Sequence, residues 1–313
     1  MSECIAIMEE ALAELASGQV EMPVRLVLTT RDGNGAVALM PAHLAASDLL
    51  GYKAVTVYPK TDPRIEPTHQ AAVAVLDPNT GRMLGLIDGT AITEIRTAAV
   101  SAVATRHLAR PDAAVLALIG AGAQAAAHVE SIGHVRELRE IRIWSRDPAR
   151  ARSLAARAGA SGEGQLAISA VGEAAAALDG ADIVVTATSS REPVVRRAWL
   201  ADGVHINAVG ACIPTAREID PATVAAARVV VDSRDAALRE SGDLLLAIAD
   251  GAIGADHIGP ELGDVIVRRA AGRTSSAQIT LFESLGLGVE DVAAAGHALR
   301  RASEEDVGMI VEL

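Results

Sequence analysis

Three small residues, Gly120, Gly122 and Ala125, follow an apolar run in the stretch LALIGAGAQAAAHV. In a dinucleotide-binding turn, the first glycine permits the tight turn at the strand end. The second lets pyrophosphate approach the backbone, and the small third residue permits close helix packing. The N–H groups of the helix that begins at Ala123 and Gln124 would face the anion. The same pattern also suits a plain strand-to-helix connection, so the surrounding sequence must decide between the two interpretations.

The residues after the next predicted strand, EIRIWS, indicate which dinucleotide binds. NAD-dependent enzymes usually place a carboxylate there, which accepts hydrogen bonds from the ribose 2′-hydroxyl and repels a 2′-phosphate. This chain has Ser145 and Arg146 instead, with Arg150 one helical turn later, and guanidinium groups suit a phosphate. We predict NADP(H) as the preferred cofactor. Asp147 leaves NAD(H) open, as does the alternative that both arginines lie on a solvated face.

Two further strand ends complete the predicted cofactor site. Thr186, Thr188 and Ser189 belong to the end of DIVVTAT and the loop after it, at the carboxyl edge where parallel sheets bind ligands. Val209 and Gly210 lie in INAVGA, where small residues would let a nicotinamide ring approach the backbone. The hydroxyl groups are also compatible with an ordinary loop.

Three basic residues in the first half have apolar sequence neighbours. Arg25 follows Met-Pro-Val at the start of a predicted strand, Lys53 lies inside LLGYKAVTVYP, and Arg96 lies in a helix of small apolar residues. A buried cation without a counterion is unfavourable, so each needs an anion. For each residue taken separately, a carboxylate of the protein itself could be this counterion. One substrate carboxylate would account for all three, so we predict them as catalytic and substrate-binding residues.

The pattern of secondary structure changes near Ala113. Before it, an amphipathic helix over 2–17, a meander of short strands and a long helix over 90–109 are predicted. After it, apolar strands alternate with helices, which is typical of a doubly wound parallel sheet covered on both faces. A final helix over 289–303 is expected to fold back on the first half. The predicted strands are 25–30, 37–40, 52–58 and 70–76, then VLALIG, EIRIWS, DIVVTAT, HINAVG and ARVVVD, with a short helix near 196–201.

Composition restricts the class of protein. A chain of 313 residues favours two domains, and a net charge of -12 with 2% aromatic residues argues against nucleic-acid binding. The two cysteines form no disulfide framework and show no metal-ligand spacing, so no metal is predicted. The N-terminus lacks a basic region, and no apolar run reaches the length of about 18 residues typical of a membrane span. We expect a cytoplasmic protein without membrane or nucleic-acid partners.

Several segments together resemble the ornithine cyclodeaminase/μ-crystallin family. They are EMPVR, LMPAHL, GYKAVTVYP, LDPNTG, ITEIRTAAVSAVAT, IGAGAQA, INAVGA and LFESLGLGVED, in the order and spacing of that family. The resemblance extends from about residue 5 to residue 305. The combination of K-x-V-x-x-x-P, RTAA and GxGxQA makes it specific.

The resemblance implies an α/β fold with a Rossmann domain and a discontinuous α+β domain for substrate binding and dimerisation. We expect the Rossmann domain, which would bind NADP, over 112–287, and the substrate and dimerisation domain over 1–111 and 288–313. The resemblance also implies a homodimer, and that Arg25, Lys53 and Arg96 hold the substrate carboxylate beside the nicotinamide.

Two departures from the cyclodeaminases of this family bear on the reaction. Those enzymes carry Glu before the LMP segment, where this chain has Ala38, and Asp in a GGDCPGKTEL segment, where Cys212 aligns. Cyclodeamination needs a base at the substrate amines, and a carboxylate is the natural candidate. We count Cys212 among the substrate-binding residues. A nonacidic residue at this position resembles the ketimine reductase branch of the family.

These observations predict an NAD(P)H-dependent reductase of 2-imino acids, with cyclic ketimines such as Δ1-pyrroline- or Δ1-piperideine-2-carboxylate as substrates. Three alternatives stay open: an ornithine cyclodeaminase, an alanine dehydrogenase or reductive aminase, and a crystallin-like protein that binds NADPH without turnover. Cys212 also permits a thiol nucleophile, but a packing role is favoured because no histidine can be assigned as its base. Glu283 is assigned no role.

Overall fold

The computed structural model describes residues 1–58, 67–160 and 166–311. It divides into two compact units, Met1–Ile5 with Thr97–Gly286 and Ala6–Arg96 with Leu287–Leu313. We call them the parallel-sheet unit and the antiparallel-sheet unit. The predicted α/β fold class is confirmed. The predicted domain boundaries at 111/112 and 287/288 stay a prediction.

The helices and strands of the described residues are numbered in chain order. The helices are α1 Ser2–Ala16, α2 Gly89–Leu108, α3 Ala123–Gly133, α4 Pro148–Ala160, α5 Ala174–Leu178, α6 Pro221–Ala226, α7 Arg234–Glu240, α8 Gly242–Ala249, α9 Leu262–Ile266 and α10 Gly288–Glu304. The strands are β1 Val20–Glu21, β2 Leu26–Thr29, β3 Ala36–Leu44, β4 Leu49–Val57, β5 His69–Leu76, β6 Met83–Asp88, β7 Val115–Ile119, β8 Glu140–Trp144, β9 Ala167–Ala170, β10 Ile183–Thr186, β11 His205–Ala208, β12 Arg228–Val231 and β13 Thr280–Glu283.

The parallel-sheet unit has the strand order β12-β13-β11-β10-β7-β8-β9, and its paired strands are all parallel. Strands β7, β10 and β11 are buried along their whole length, and the apolar sequences of β7 and β10 predict this burial. From β7 the chain continues to β8 and β9 on one side of β7, and it then returns to form β10 on the other side of β7. The carboxyl ends of β7 and β10 therefore flank the topological switch point, where such sheets bind ligands.

Several elements of this unit differ from the prediction, which did not include the short helices α5, α6, α7, α8 and α9. Strands β9 and β13 were not predicted, and β13 lies between β11 and β12. The helix predicted near 196–201 is wrong, since only a 3₁₀ turn forms, Arg197–Trp199. The reason is that Val194 and Val195 both donate backbone hydrogen bonds to the carbonyl oxygen of Glu218, which keeps the chain extended up to that turn.

The antiparallel-sheet unit contains the predicted meander with the strand order β1-β3-β4-β5-β6, and β2 also pairs with β3. Helix α10 packs on β3, β4, β5 and β6. Strands β1 and β6 were not predicted, since β1 has two residues and β6 contains a glycine. A Cβ atom at this glycine, Gly85, would lie 2.7 Å from Leu299 Cδ1 of α10, so close helix packing explains its presence. Pro59, the last residue of the motif GYKAVTVYP, lies outside the described residues.

The sheet face opposite α10 carries exposed leucines at both ends. Leu86 follows Gly85 in β6 and therefore points away from the helix, and 67% of its surface is exposed. At the other end of the sheet, Leu26 and Leu28 of β2 are 61% and 63% exposed. An exposed apolar face of this kind commonly forms a protein interface.

Among the described residues, no helix is long and apolar enough to cross a membrane.

Candidate functional site

A cavity of about 420 Å³ opens at the carboxyl ends of β7, β8 and β10 in the parallel-sheet unit. It brings together predicted cofactor residues from three separate parts of the sequence. Those lining it are Gly120, Gly122, Ser145, Arg146, Arg150, Thr188 and Ser189. Residues that the sequence did not assign to the cofactor also line it, and they are Ala121, Trp144, Ala187, Ser190 and Val194, together with Asp147.

Gly120 makes the tight turn at the end of β7. Its φ of 124° lies in the region that favours glycine. A Cβ atom there would lie 2.4 Å from the carbonyl oxygen of Ala187, in the loop after β10. Any side chain would therefore force the two loops apart. This position matches the first glycine of a dinucleotide turn in both conformation and close approach.

Gly122 has a different environment, because it faces open space. It is the N-cap of α3 and provides no side-chain cap, and a Cβ atom there would meet no atom within 4 Å. The first turn of α3, with Ala123 and Gln124, thus presents backbone N–H groups without a capping side chain. An anion is stabilised at such a terminus by those donors and by the helix dipole. The residues present therefore fit the pyrophosphate of a dinucleotide.

The residues after β8 lie at the rim of this cavity. Ser145 Oγ accepts a hydrogen bond from the backbone N–H of Asp147 at 3.3 Å. The Asp147 carboxylate in turn accepts one from Ala149 N–H at 2.9 Å and lies 3.6 Å from Arg150. Asp147 thus caps the start of α4. Arg146 and Arg150 are both exposed at the rim, where a guanidinium can reach a bound anion.

The other predicted cofactor residues lie at the ends of β10 and β11. Thr186 is the buried last residue of β10, and its carbonyl oxygen accepts the N–H of Val209 at 3.0 Å. Gly210 follows, and its N–H binds a residue that the sequence did not single out for the site, Glu218, at 2.7 Å. The structure therefore brings these two strand ends side by side, although Thr186, Val209 and Gly210 do not line the cavity itself.

A second cluster of functional groups lies within the antiparallel-sheet unit. Lys53 Nζ is 2.7 Å from Asp291 Oδ2, and Arg96 Nε is 2.8 Å from Asp291 Oδ1. Arg96 Nη1 is 2.5 Å from Glu290 Oε2. All four side chains are buried. We call them the ion network, which joins β4, α2 and the first turn of α10.

The position of α10 results from close packing at its first residue. A Cβ atom at Gly288 would lie 2.9 Å from the carbonyl oxygen of Met40 in β3, and Met40 pairs with Lys53 across the sheet. Glu290 also accepts the backbone N–H of Leu287 at 3.2 Å. The helix start is thereby fixed beside Lys53, which allows Asp291 to reach both cations.

Burial alters the protonation of this network. It lowers the pKa of Lys53 to about 8, assisted by the positive charge of Arg96 and opposed by Asp291. Burial raises the pKa of Glu290, opposed by Arg96. Two cations and two carboxylates make the network close to neutral when all four are ionised. The Lys53 amine is thus a group of this network whose charge changes just above neutral pH.

Lys53 and Arg96 have internal carboxylates in Glu290 and Asp291. A substrate carboxylate is therefore not needed as the counterion of these two cations, and its binding to Lys53, Arg96 and Arg25 stays a prediction. Arg25 is half-buried directly before β2. Strand registers place it level with Met40 and Lys53, since Leu26 pairs with Leu39 and Met40 with Lys53. A recognisable signal for the missed acids was the pair Glu-Asp at the start of an alanine-rich helix.

Cys212 lies in the loop after β11. Its half-buried thiol lies 3.3 Å from the carbonyl oxygen of Val209 and 3.8 Å from that of Ser284. It also packs against the apolar core. A thiol that contacts carbonyl oxygens acts as a hydrogen-bond donor. Within the ranges that the structure describes, no group of three His, Cys, Asp or Glu side chains is arranged to hold a metal ion.

Comparison with known proteins gives matches over nearly the whole chain. The family model "Ornithine cyclodeaminase/mu-crystallin family" matches residues 1–306. Ketimine reductase mu-crystallin of Rattus norvegicus is 41% identical over 292 residues, 92% of this chain and 88% of the relative.

Two solved structures agree closely in fold. The Δ(1)-pyrroline-2-carboxylate reductase of Thermococcus litoralis, in complex with NADH and L-proline, has a TM-score of 0.94 at 36% identity. That match covers 99% of this chain and 96% of the other. An archaeal alanine dehydrogenase dimer with bound NAD has a TM-score of 0.94 at 32% identity, covering 100% of this chain and 95% of the other.

The open space at Gly122 gives a prediction. We expect Gly122→Ala to lower the melting temperature of the ligand-free protein only slightly, because the added methyl group meets no atom and the one cost is that of a poorer N-cap residue. It should weaken dinucleotide binding by about tenfold or more, since the methyl group occupies the space needed by pyrophosphate. Calorimetric titration measures the binding. Gly133→Ala, also in open space but at the other end of α3, is the matched control and should bind normally. Equal binding by both variants would contradict the assignment.

Proposed function

Because the chain belongs to the ornithine cyclodeaminase/mu-crystallin family, we propose that it reduces 2-imino acids, with cyclic ketimines such as Δ1-pyrroline- or Δ1-piperideine-2-carboxylate as substrates. The chain is an NAD(P)H-dependent oxidoreductase acting on CH–NH groups. The choice of substrate and the preference for NADP(H) are the parts we propose.

The observation that carries this proposal is the environment of Cys212. Its thiol donates toward the carbonyl oxygens of Val209 and Ser284, so this position offers no base. Ala38, in β3, offers none either. Cyclodeamination needs a base to handle the substrate amines. Reduction of a protonated imine needs an oriented electrophilic carbon and a binding site for the substrate carboxylate.

The ion network supplies the proposed carboxylate site. We assign Lys53 and Arg96 to the substrate carboxylate, with Arg25 as a third cation. Glu290 and Asp291 hold the two buried cations in fixed positions before substrate arrives, so less ordering is required on binding. The incoming carboxylate adds a negative charge and favours the ammonium form of Lys53. The reduced nicotinamide, when bound, supplies the hydride that the imine carbon accepts.

NADP(H) is the proposed cofactor because of the residues after β8. The carboxylate of Asp147, which could accept hydrogen bonds from a ribose 2′-hydroxyl, caps α4 and pairs with Arg150. Arg146 and Arg150 lie exposed at the cavity rim, where both can contact a 2′-phosphate. Ser145 offers a hydroxyl group beside them. The other predicted cofactor residues are retained in this proposal, namely Gly120, Gly122, Ala123, Gln124, Thr186, Thr188, Ser189, Val209 and Gly210.

The exposed apolar sheet face supports a homodimer. Leu26, Leu28, Leu39 and Leu86 lie on the face opposite α10 and are all exposed. Strand β2 pairs with β3 and also forms an edge of the described sheet. Burying such a face against a second copy removes apolar area from water and protects the edge. We propose that two copies associate through it.

A panel of substrates tests the proposed reaction. We expect NADPH oxidation with Δ1-pyrroline- and Δ1-piperideine-2-carboxylate, and no ammonia release from ornithine with NAD. Pyruvate with ammonia or methylamine should react more slowly than the cyclic imines. Ammonia release from ornithine would establish a cyclodeaminase. Turnover of pyruvate with ammonia that is faster than turnover of the cyclic imines would establish an alanine dehydrogenase. Bound NADPH without turnover on any substrate would establish a binding protein.

The cofactor assignment predicts a change of preference in one variant. Arg146→Asp should lower the ratio of kcat/KM for NADPH to that for NADH by about tenfold or more, because a carboxylate repels the 2′-phosphate. The matched control is Arg152→Asp, which makes the same charge change on α4 at an exposed position outside the cavity lining. Steady-state kinetics measure both. An unchanged ratio in Arg146→Asp would contradict the preference for NADP(H).

The pKa of Lys53 predicts a pH dependence. Because that pKa is lowered to about 8, the ammonium is present below this pH and is lost as the pH rises above it. We expect kcat/KM for the imino acid to fall above pH 8. Lys53→Arg should retain part of the turnover and lose this inflection, since a guanidinium stays charged. An unchanged pH profile in Lys53→Arg would contradict a carboxylate-binding role for the Lys53 charge.

The dimer proposal is tested by charging the apolar face. Sedimentation equilibrium should give twice the chain mass of 32.1 kDa for the wild type. Leu28→Asp should give the single-chain mass, because a carboxylate at the centre of an apolar interface is strongly unfavourable. Leu238→Asp is the control, since Leu238 is an exposed leucine of the parallel-sheet unit. A wild type of single-chain mass would contradict the proposal.

A further inference from the structure

A buried carboxylate, Glu218, connects two loops at the carboxyl edge of the parallel sheet. Its Oε1 accepts the backbone N–H of Thr188, in the loop after β10, at 2.7 Å. Its Oε2 accepts the N–H of Gly210, in the loop after β11, at 2.7 Å. The side chain is fully buried. One carboxylate thus sets the separation of two loops that follow neighbouring strands.

The fit of this carboxylate leaves no free space. A Cβ atom at Gly210 would lie 2.4 Å from Glu218 Oε2 and 2.4 Å from the carbonyl oxygen of Thr188. Gly210 therefore has to be glycine for a packing reason, since its backbone passes between the carboxylate and the neighbouring loop. The loops and the carboxylate form one packed arrangement, in which a change at one member displaces the others.

Glu218 is itself held in place by several backbone hydrogen bonds. Its N–H and that of Ile219 both donate to Asp243 Oδ1 at 2.8 Å. Its carbonyl oxygen accepts the N–H groups of Val194 and Val195, at 2.8 and 3.0 Å. Val194 lines the cavity. The residue therefore cannot shift without moving the wall of the cavity.

Burial and hydrogen bonding act in opposite directions on the pKa of Glu218. Burial raises the pKa of both Glu218 and Asp243, and the charge of Glu218 helps to raise that of Asp243 to about 8. Glu218 receives N–H donors on both oxygens, and these hydrogen bonds lower its pKa.

The strand order indicates which part of a dinucleotide these loops would meet. The adenosine ribose is recognised after β8, and pyrophosphate binds at the β7–α3 turn. Strand β7 lies between β8 and β10, and β11 lies beyond β10. A dinucleotide that passes from β8 across β7 therefore ends over β10 and β11. From this arrangement we infer that Glu218 is a positioning residue for the nicotinamide half of the cofactor, acting through the Thr188 and Gly210 loops.

This inference rests on the proposed NADP(H) site and is tested by binding rather than turnover. We would titrate NADPH and adenosine 2′,5′-bisphosphate, which lacks the nicotinamide half, into wild type and Glu218→Gln. Glutamine keeps the volume but places an NH₂ group against one of the two N–H donors. We expect NADPH to bind about tenfold more weakly and the fragment to bind within about twofold of wild type.

Two further variants make the test specific. Gly210→Ala leaves Glu218 intact but displaces the same loop. It should therefore also weaken the binding of NADPH and leave the binding of the adenosine fragment unchanged. Glu283→Gln is the matched control, because Glu283 is equally buried and its pKa is raised well above the usual range by burial and by Asp243. A neutral acid replaced by its amide should leave both ligands bound normally. Melting temperatures of all variants identify any that fail to fold.

The outcomes separate the inference from the function on which it rests. Equal weakening of NADPH and the fragment in Glu218→Gln, or no weakening of either, would overturn the positioning role. If Glu218→Gln does not fold, the same comparison in Gly210→Ala decides. A wild type that binds NADH but not NADPH would overturn the NADP(H) preference alone, and NADH with 5′-AMP would then replace the two ligands.

Discussion

The ion network is the interaction on which the antiparallel-sheet unit depends. Arg96 and Asp291 are 195 positions apart in the sequence, yet their side chains are 2.8 Å apart and buried. Removing one member of a buried ion pair typically costs about 3–5 kcal/mol, because the partner is left as an unpaired charge. The network therefore forces the end of the chain to return to the sheet, and it does so at one register of α10. Gly288 permits the necessary close approach to β3.

The parallel-sheet unit follows a different constraint, the approach of backbone to backbone. Gly120 and Gly210 each pass so close to a neighbouring loop that no side chain fits, whereas Gly122 opens onto the cavity. In the proposed function, phosphate groups would meet backbone N–H donors and rim arginines, and the substrate carboxylate would meet the buried cations of the other unit. The two proposed sites would thus recognise anions by different means. Backbone donors bind without changing their own charge, while the Lys53 site titrates just above neutral pH.

Local patterns in the sequence were sufficient for most of the fold. The continuous apolar runs predicted the central parallel strands, and the G-x-G-x-x-A turn predicted the position of the cavity. Strands β9 and β13 were missed because their short sequences show no clear period. The internal partners of Lys53 and Arg96 could not be predicted, since a contact over nearly 200 residues has no local signature. Glu218 was missed for a related reason, because its role depends on two loops distant in sequence. The preference for NADP(H) and the roles of the site residues stay predictions.

The near absence of aromatic residues has a practical consequence. The chain contains two tryptophans, and one of them, Trp144, ends β8 and lines the cavity, while Trp199 lies in the 3₁₀ turn beside Arg196. Tryptophan emission overlaps the absorption band of reduced nicotinamide and transfers excitation energy over short distances. One of the two indole side chains of this protein therefore lies at the wall of the candidate cofactor cavity. Trp144 would then report optically on the redox state of a nicotinamide cofactor bound there.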